Sequence, residues 1–362
     1  MQMEMEPNRP FRITHFINFI LSGIQRRLTR EIPPKSRSAG RRRIAIVGGG
    51  FTGLTAAFEL SKRGHKVTIF EKEKTIGGLA SGFKQNNWEW NLEYSYHHLF
   101  TNDDSILSLM GELGLSHKLI IKRPVTATYM NNTTYQLDSP SNLLTFPHLS
   151  IVDKTRTALI LAFCKLNPFW RPLESITAQQ LFRTVGGKRA WETIWEPLLI
   201  GKFGTYASTI CASWLWARIK KRTPSLYYIE GGFHTLITAL KAAIYKQGAT
   251  IRTYVSVSSV KHRADGRHDV SWKNNKQIFD RVLLTIPTSV ALKLVPQLPI
   301  SYTLPLRSIP HLHAQTLILE TKEPILQDTL LQARKRVSCE ANNGVYWLNI
   351  TDRSFPFLAV VA

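Results

Sequence analysis

The apolar positions of this chain change period where its first folded unit begins. Ile44 to Val47 form a short apolar run, glycines follow at 48, 49, 50 and 53, and an Ala/Leu-rich stretch at helical spacing continues to about Arg63. A second apolar run, Val67 to Phe70, ends on Glu71. The pattern predicts strand, glycine turn, helix and second strand. Further on, Pro124 to Leu137 alternates around Asn131-Asn132 and reads as a hairpin. Residues from about Ser139 to Arg222 are rich in helical patterns, and the aromatic residues Trp170, Phe182, Trp191, Trp195, Phe203, Tyr206, Trp214 and Trp216 are expected mainly as packed core. Gly231-Gly232 opens a helix to about Gln247, Thr250 to Val260 alternates as a strand, and strands at His268–Trp272 and Arg281–Ile286 follow a turn at Asp265-Gly266.

The glycine turn carries the chemistry. Gly48, Gly50 and Gly53 stand in GxGxxG spacing, and Glu71 lies about 20 residues beyond them, where the acid that binds a dinucleotide ribose is expected. Gly48 permits the tight turn, Gly50 lets backbone approach a pyrophosphate, and Gly53 lets the helix lie close on the strand. The anion sits at the positive end of the helix, where the first N–H groups lack intrahelical partners. A carboxylate at Glu71 can accept ribose hydroxyls and would repel a 2′-phosphate, which disfavours NADP.

The sequence then continues KEKTIGG, with Gly77 and Gly78 soon after the ribose acid. This resembles the extended signature of the flavin amine oxidase, protoporphyrinogen oxidase and phytoene desaturase superfamily. Many members carry Arg after the pair, whereas here Leu79 follows in GGLA, a form more like the desaturase and UDP-galactopyranose mutase branches. The resemblance implies FAD as cofactor, held by Gly48, Gly49, Gly50, Thr52, Gly53, Glu71, Gly77, Gly78 and Leu79. It also implies an adenine contact from the Val257 backbone, and it places WEWNLEYSYHHLF, with His97 and His98, near the flavin and the substrate cavity. A role for the two histidines stands beside ordinary packing, and no metal site is expected, since neighbours on a strand face opposite ways and no third ligand completes a set. The segment ending WEPLLIGKFG within Trp191 to Gly204 resembles the superfamily's helical insert, and VLLTIP its strand near the cofactor.

Composition bounds the remainder. At 362 residues, 43% hydrophobic and 20% charged, the chain is of globular type and long enough for two domains. Cys164, Cys211 and Cys339 match no metal or redox spacing and are expected in the core of a protein from a reducing, cytoplasmic compartment. The net charge of +22 raises nucleic acid or an anionic membrane as partners. No nucleic-acid module is recognisable, and ten of the Lys/Arg lie in residues 1 to 43, so nucleic acid is not expected. Phe11 to Ile24, followed by Arg26, Arg27 and Arg30, is too short and interrupted to span a bilayer. Residues 11–30 read equally as an amphipathic helix on anionic lipid or as a disordered leader.

The expected architecture is α/β, a Rossmann-like FAD-binding domain with an inserted mixed α+β substrate domain. Its segments are a basic arm and linker (1–42), the FAD domain (43–123), the substrate domain (124–225), the FAD domain again (226–290) and substrate-domain strands (291–362). The superfamily's closing flavin motif, a Gly-Asp turn opening a helix, is absent after Thr288, so the chain reads as truncated, with weakened hold on FAD. The expected activity is FAD-dependent oxidation of a C–N or C–C bond in a small molecule. A flavin-dependent sugar-nucleotide mutase and an inactive remnant are the alternatives, and no catalytic residue is assigned.

Overall fold

The computed structural model describes residues 40–323, 325–326 and 345–362. The basic arm, most of the linker and Cys339 lie outside the described residues. The described residues divide into two compact units, one containing 123–226, 320–323, 325–326 and 345–362, the other 40–122 and 227–319.

The second unit is built on a four-stranded parallel sheet. Strands β1 (Arg43–Val47) and β2 (Lys66–Phe70) pair in register from Arg43↔Lys66 to Val47↔Phe70. Outside β2 lies β3 (Thr250–Arg252), and outside β1 lies β4 (Arg281–Leu284). Both inner strands read as continuous apolar runs because both faces are covered. Side chains of period two divide between those faces. Ile44, Ile46, Val67 and Ile69 pack with helices α1 (Phe51–Lys62) and α2 (Phe233–Lys246), while Ala45, Val47 and Phe70 pack with Val257, Val260, Trp272 and Phe279. That second layer is the antiparallel meander 259–262, 268–272 and 275–279.

Helix α1 buries Leu54, Ala57, Phe58 and Ser61 at helical spacing and ends at Gly64, whose φ of 82° and amide bond to the Ser61 carbonyl form a left-handed cap. Helix α2 buries Phe233, Leu236, Ile237, Leu240 and Ile244 and ends in the same way at Gly248.

Two expectations change here. The strand read over Thr250 to Val260 is two strands, 250–252 and 259–262, because Tyr254 turns to a φ of 57°. There the Tyr254 and Val255 amides bond to the Glu73 and Glu71 carbonyls, and the chain leaves the parallel sheet for the meander. Residues 291–319, expected among substrate-domain strands, belong to the second unit and include the helix Ile300–Arg307.

The first unit combines helices with a mixed sheet. Residues 125–130 and 133–136 form the expected hairpin, with Asn131 and Asn132 at φ 50° and 59°, the positive pair that a two-residue hairpin turn requires. Strand 345–350 lies parallel to 125–130, and 359–361 closes the order antiparallel. The helices 151–166, 178–181, 196–203 and 212–221, with π-helical turns at 182–186 and 191–195, enclose a separate core around Ile160, Cys164, Leu181, Phe182 and Trp191. Of the expected aromatic cluster, Trp195, Phe203, Trp214 and Trp216 pack against that core, whereas Trp170 and Tyr206 are exposed. Cys164 is buried and Cys211 partly so. Among the described residues no helix is long and apolar enough to cross a membrane.

Candidate dinucleotide site

The site lies where β1, β2 and β3 end in the second unit. Leaving β1, the chain turns at Gly48 with φ 108°, and the Gly48 amide bonds to the Phe70 carbonyl of β2. The turn is footed from below by Thr285, whose hydroxyl donates to the Val47 and Gly48 carbonyls at 3.1 and 2.9 Å. A Cβ on Gly48 would meet the Thr285 carbonyl oxygen at 2.8 Å, and one on Gly53 would meet the Gly48 oxygen and the Thr285 hydroxyl. These two glycines serve turn geometry and helix–strand packing.

Gly50 differs. Its φ of −73° suits any residue, and an added Cβ would have only the Gly78 Cα within 4 Å, at 3.8 Å. The space over Gly50 is therefore open. No side chain caps the N-terminus of α1, and its first turn holds no acid, so its amides form an unscreened anion seat. Thr52, in that turn, is exposed.

The second glycine pair is strapped to the first. The Gly77 amide donates to the Gly49 carbonyl at 2.8 Å, and Gly50 and Gly77 form a parallel bridge. Gly77 and Gly78 have φ of 118° and 58°. A Cβ on Gly78 would reach the Gly50 Cα at 3.0 Å, so only glycine lets the two loops lie this close. Leu79, next in the short turn 78–80, is 85% exposed.

Glu71 is buried between them. Its Oε2 accepts the Gly49 amide at 2.6 Å and its Oε1 accepts the Glu73 amide at 2.9 Å. Each carboxylate oxygen has a further lone pair to offer. The segment that pairs with Glu71 and Glu73 continues to Val257, whose side chain is buried against the meander. The glycine turn, Glu71, the second glycine pair and the approach to Val257 are thus one locus. They fit an ADP moiety: an uncapped helix end for phosphate, a buried carboxylate for ribose, and open space where a Cβ is missing.

His97 Nδ1 lies 2.7 Å from the Ser95 carbonyl, and its ring packs on Phe233 at 5.3 Å, at the start of α2. His98 packs edge-on against Phe100. Among the described residues no group of His, Cys, Asp and Glu could hold a metal ion.

Two residue roles escape sequence reading. One is that of Thr285, part of the VLLTIP strand expected near the cofactor, whose footing of the glycine turn has no local signal. The other is that of Glu93, buried in the aromatic run, whose Oε1 accepts the Phe233 amide at 2.6 Å and whose Oε2 accepts the Tyr228 hydroxyl at 2.7 Å. Helix α2 has Gly232 at its N-cap and no local capping side chain, so a remote carboxylate takes that place. The signal available in the sequence was the missing Ser, Thr or Asp before Phe233.

A model of the flavin containing amine oxidoreductase family matches residues 51–360. Zeta-carotene desaturase of Capsicum annuum is 25% identical over 276 residues, covering 62% of this chain and 45% of the relative. Protoporphyrinogen oxidase 2 of Arabidopsis thaliana is 23% identical over 252 residues, covering 67% and 47%. The chain thus spans about half the length of the curated relatives it matches. In fold it is similar to an oxidoreductase from Methanosarcina mazei, with TM-score 0.57 and 20% identity over 73% of this chain and 64% of that one. It is also similar to wild-type putrescine oxidase bound to putrescine, with TM-score 0.57 and 18% identity over 74% and 63%.

Proposed function

This chain belongs to the flavin-containing amine oxidoreductase family, and from that premise we propose that it takes part, with FAD as its cofactor, in the two-electron oxidation of a C–C or C–N bond of a small molecule. The observation that carries the reading is the locus joining Gly48–Gly50, Glu71 and Gly77–Gly78 around the uncapped end of α1. FAD supplies the two-electron acceptor chemistry when bound. The chain's own residues bind and orient. The α1 amides and the Gly49–Gly50 backbone seat the pyrophosphate, with Thr52 beside it. Glu71 accepts the ribose hydroxyls, the Val257 backbone faces the adenine, and Gly77, Gly78 and Leu79 line the flavin side.

Desaturases and an oxidase among the relatives support net oxidation over a mutase reaction, and a C–C bond is favoured by the desaturase similarity. His97 and His98 are proposed at the substrate side through their position before α2. The reading also includes peripheral contact of residues 11–30 with anionic lipid. The test is to purify the chain, load it with FAD under anaerobic conditions and add candidate polyenes, porphyrinogens and amines. Flavin absorbance should develop on loading and bleach with a substrate of one class. A colourless protein that takes up no FAD would leave the inactive remnant as the better description.

A further inference from the structure

The helix Ile151–Leu166 of the first unit is apolar on two opposite sides. One side buries Thr157, Ile160 and Cys164 in the core of that unit. The other carries Ile151, Val152, Leu159 and Leu166, which are 82, 67, 61 and 79% exposed, with only Thr155 and the exposed Ala158 and Ala162 lying along the same line. At about 100° per residue these positions fall within an arc of about 120°, a continuous stripe along four turns. Leu144, 69% exposed, lies beside it, its carbonyl held by the Lys154 ammonium. Isolated exposed leucines need no explanation, whereas a contiguous apolar stripe marks an interaction surface.

The borders of the stripe are cationic. Lys154 and Lys165 flank one edge and Arg156 the other. The one carboxylate of the helix, Asp153, projects on the inward side and accepts the Ser150 hydroxyl. All three cations spend their hydrogen bonds on neutral carbonyls: Lys154 on Leu144, Arg156 on Thr184 and Val185, and Lys165 on Lys220 and Arg222. At the C-terminal end Lys220 in turn donates to the Lys165 carbonyl. Partial burial, with Arg222 and Lys220 alongside, holds Lys165 below its ordinary value. Excess positive charge is therefore gathered along the borders and at one end of the stripe.

We infer that the first unit docks through this helix face on an anionic lipid surface, Ile151, Val152, Leu159 and Leu166 entering the acyl boundary while Lys154, Arg156 and Lys165 meet the headgroups. A second copy of the chain fits less well, because a two-fold contact would set these like-charged borders against each other. The inference does not depend on the proposed cofactor role, nor on residues 11–30.

The test is co-sedimentation of the full chain with vesicles of phosphatidylglycerol and phosphatidylcholine in equal parts, and with phosphatidylcholine alone. Binding to the anionic vesicles should exceed binding to the neutral ones and weaken as salt rises. Leu159→Asp with Leu166→Asp should reduce the bound fraction about tenfold. Ile121→Asp, at another exposed apolar site, in the other unit, should leave it unchanged. Circular dichroism checks folding, and the milder pair Ile151→Ser with Leu166→Ser should lower binding in the same direction if the aspartates prevent it. Unchanged binding of the folded double variants would place attachment elsewhere, in residues 1–39 for example, and overturn the inference. So would failure of the parent chain to bind, an equal loss in Ile121→Asp, or a dimer that the double variant splits without any lipid effect.

Discussion

The Gly49 amide donates to Oε2 of Glu71 over 2.6 Å, joining the glycine turn after β1 to the acid that ends β2, 22 residues on. One buried carboxylate therefore ties the glycine turn to the chain leaving β2, at the place where the proposed cofactor reading sets a ribose.

Glu71→Ala should weaken FAD by about 1.5–3 kcal/mol, the scale for losing a charged hydrogen-bond partner, which is roughly tenfold or more in Kd. It should also lower the melting temperature of the FAD-free chain, because the Gly49 and Glu73 amides lose their acceptor. Glu71→Gln, which keeps one oxygen acceptor, should fall between the two. Calorimetric titration with FAD, paired with thermal melts, measures both effects, and an unchanged Kd in Glu71→Ala would remove Glu71 from the site.

Gly50→Val should abolish dinucleotide binding and leave the fold intact. The φ of −73° imposes no strain on a side chain, and the space over the Cα is open on the protein side. Quenching of flavin fluorescence gives the affinity and far-ultraviolet dichroism the fold. Retained affinity would show that the pyrophosphate does not lie over Gly50.

Glu93→Ala should destabilise the chain by about 2–4 kcal/mol. It strips a buried charged acceptor from both the Phe233 amide and the Tyr228 hydroxyl. Urea unfolding followed by tryptophan emission checks it. A change below about 0.5 kcal/mol, the level of an ordinary surface substitution, would mean that α2 does not need this cap.

Cys164 should resist alkylation while Cys211 reacts. Burial pushes the Cys164 thiol up to about 12, so at pH 8 its thiolate fraction is about one in ten thousand. A thiol whose folded value is raised stabilises the fold below the unfolded value of about 8.5 and loses that contribution as pH rises toward 12. Mass mapping after iodoacetamide treatment at pH 8 gives the order of labelling. Early modification of Cys164 in the folded chain would contradict its burial.

The strand, glycine turn and acid of the candidate locus were legible because they are local in sequence. The run Ile44–Val47, the glycine spacing and Glu71 at the end of the second run all report a strand, a turn and an acid within one short stretch. Features joined over long separations were not. Thr285 foots the glycine turn from 237 residues away, and Glu93 caps a helix 140 residues on. Alternation over Thr250–Val260 concealed the break at Tyr254, since a positive φ at a tyrosine has no signature in the hydrophobic pattern. The apolar helix 151–166 gave no sign of which side the core would cover, so its exposed stripe emerged only from the fold.

The footing of the glycine turn also sets an order of events during synthesis. β1 can meet β2 as soon as residue 70 is made, but its other neighbour, β4, and the hydroxyl of Thr285 follow only after residues 123–226, which belong to the other unit, have been made. Closing so long a loop is slow, and until it closes the edge of β1 stands unpaired. A nascent chain shorter than about 285 residues should therefore be open to proteolysis and indifferent to added FAD. The cofactor can lock the fold only as a late step, after the last strand of the parallel sheet has left the ribosome.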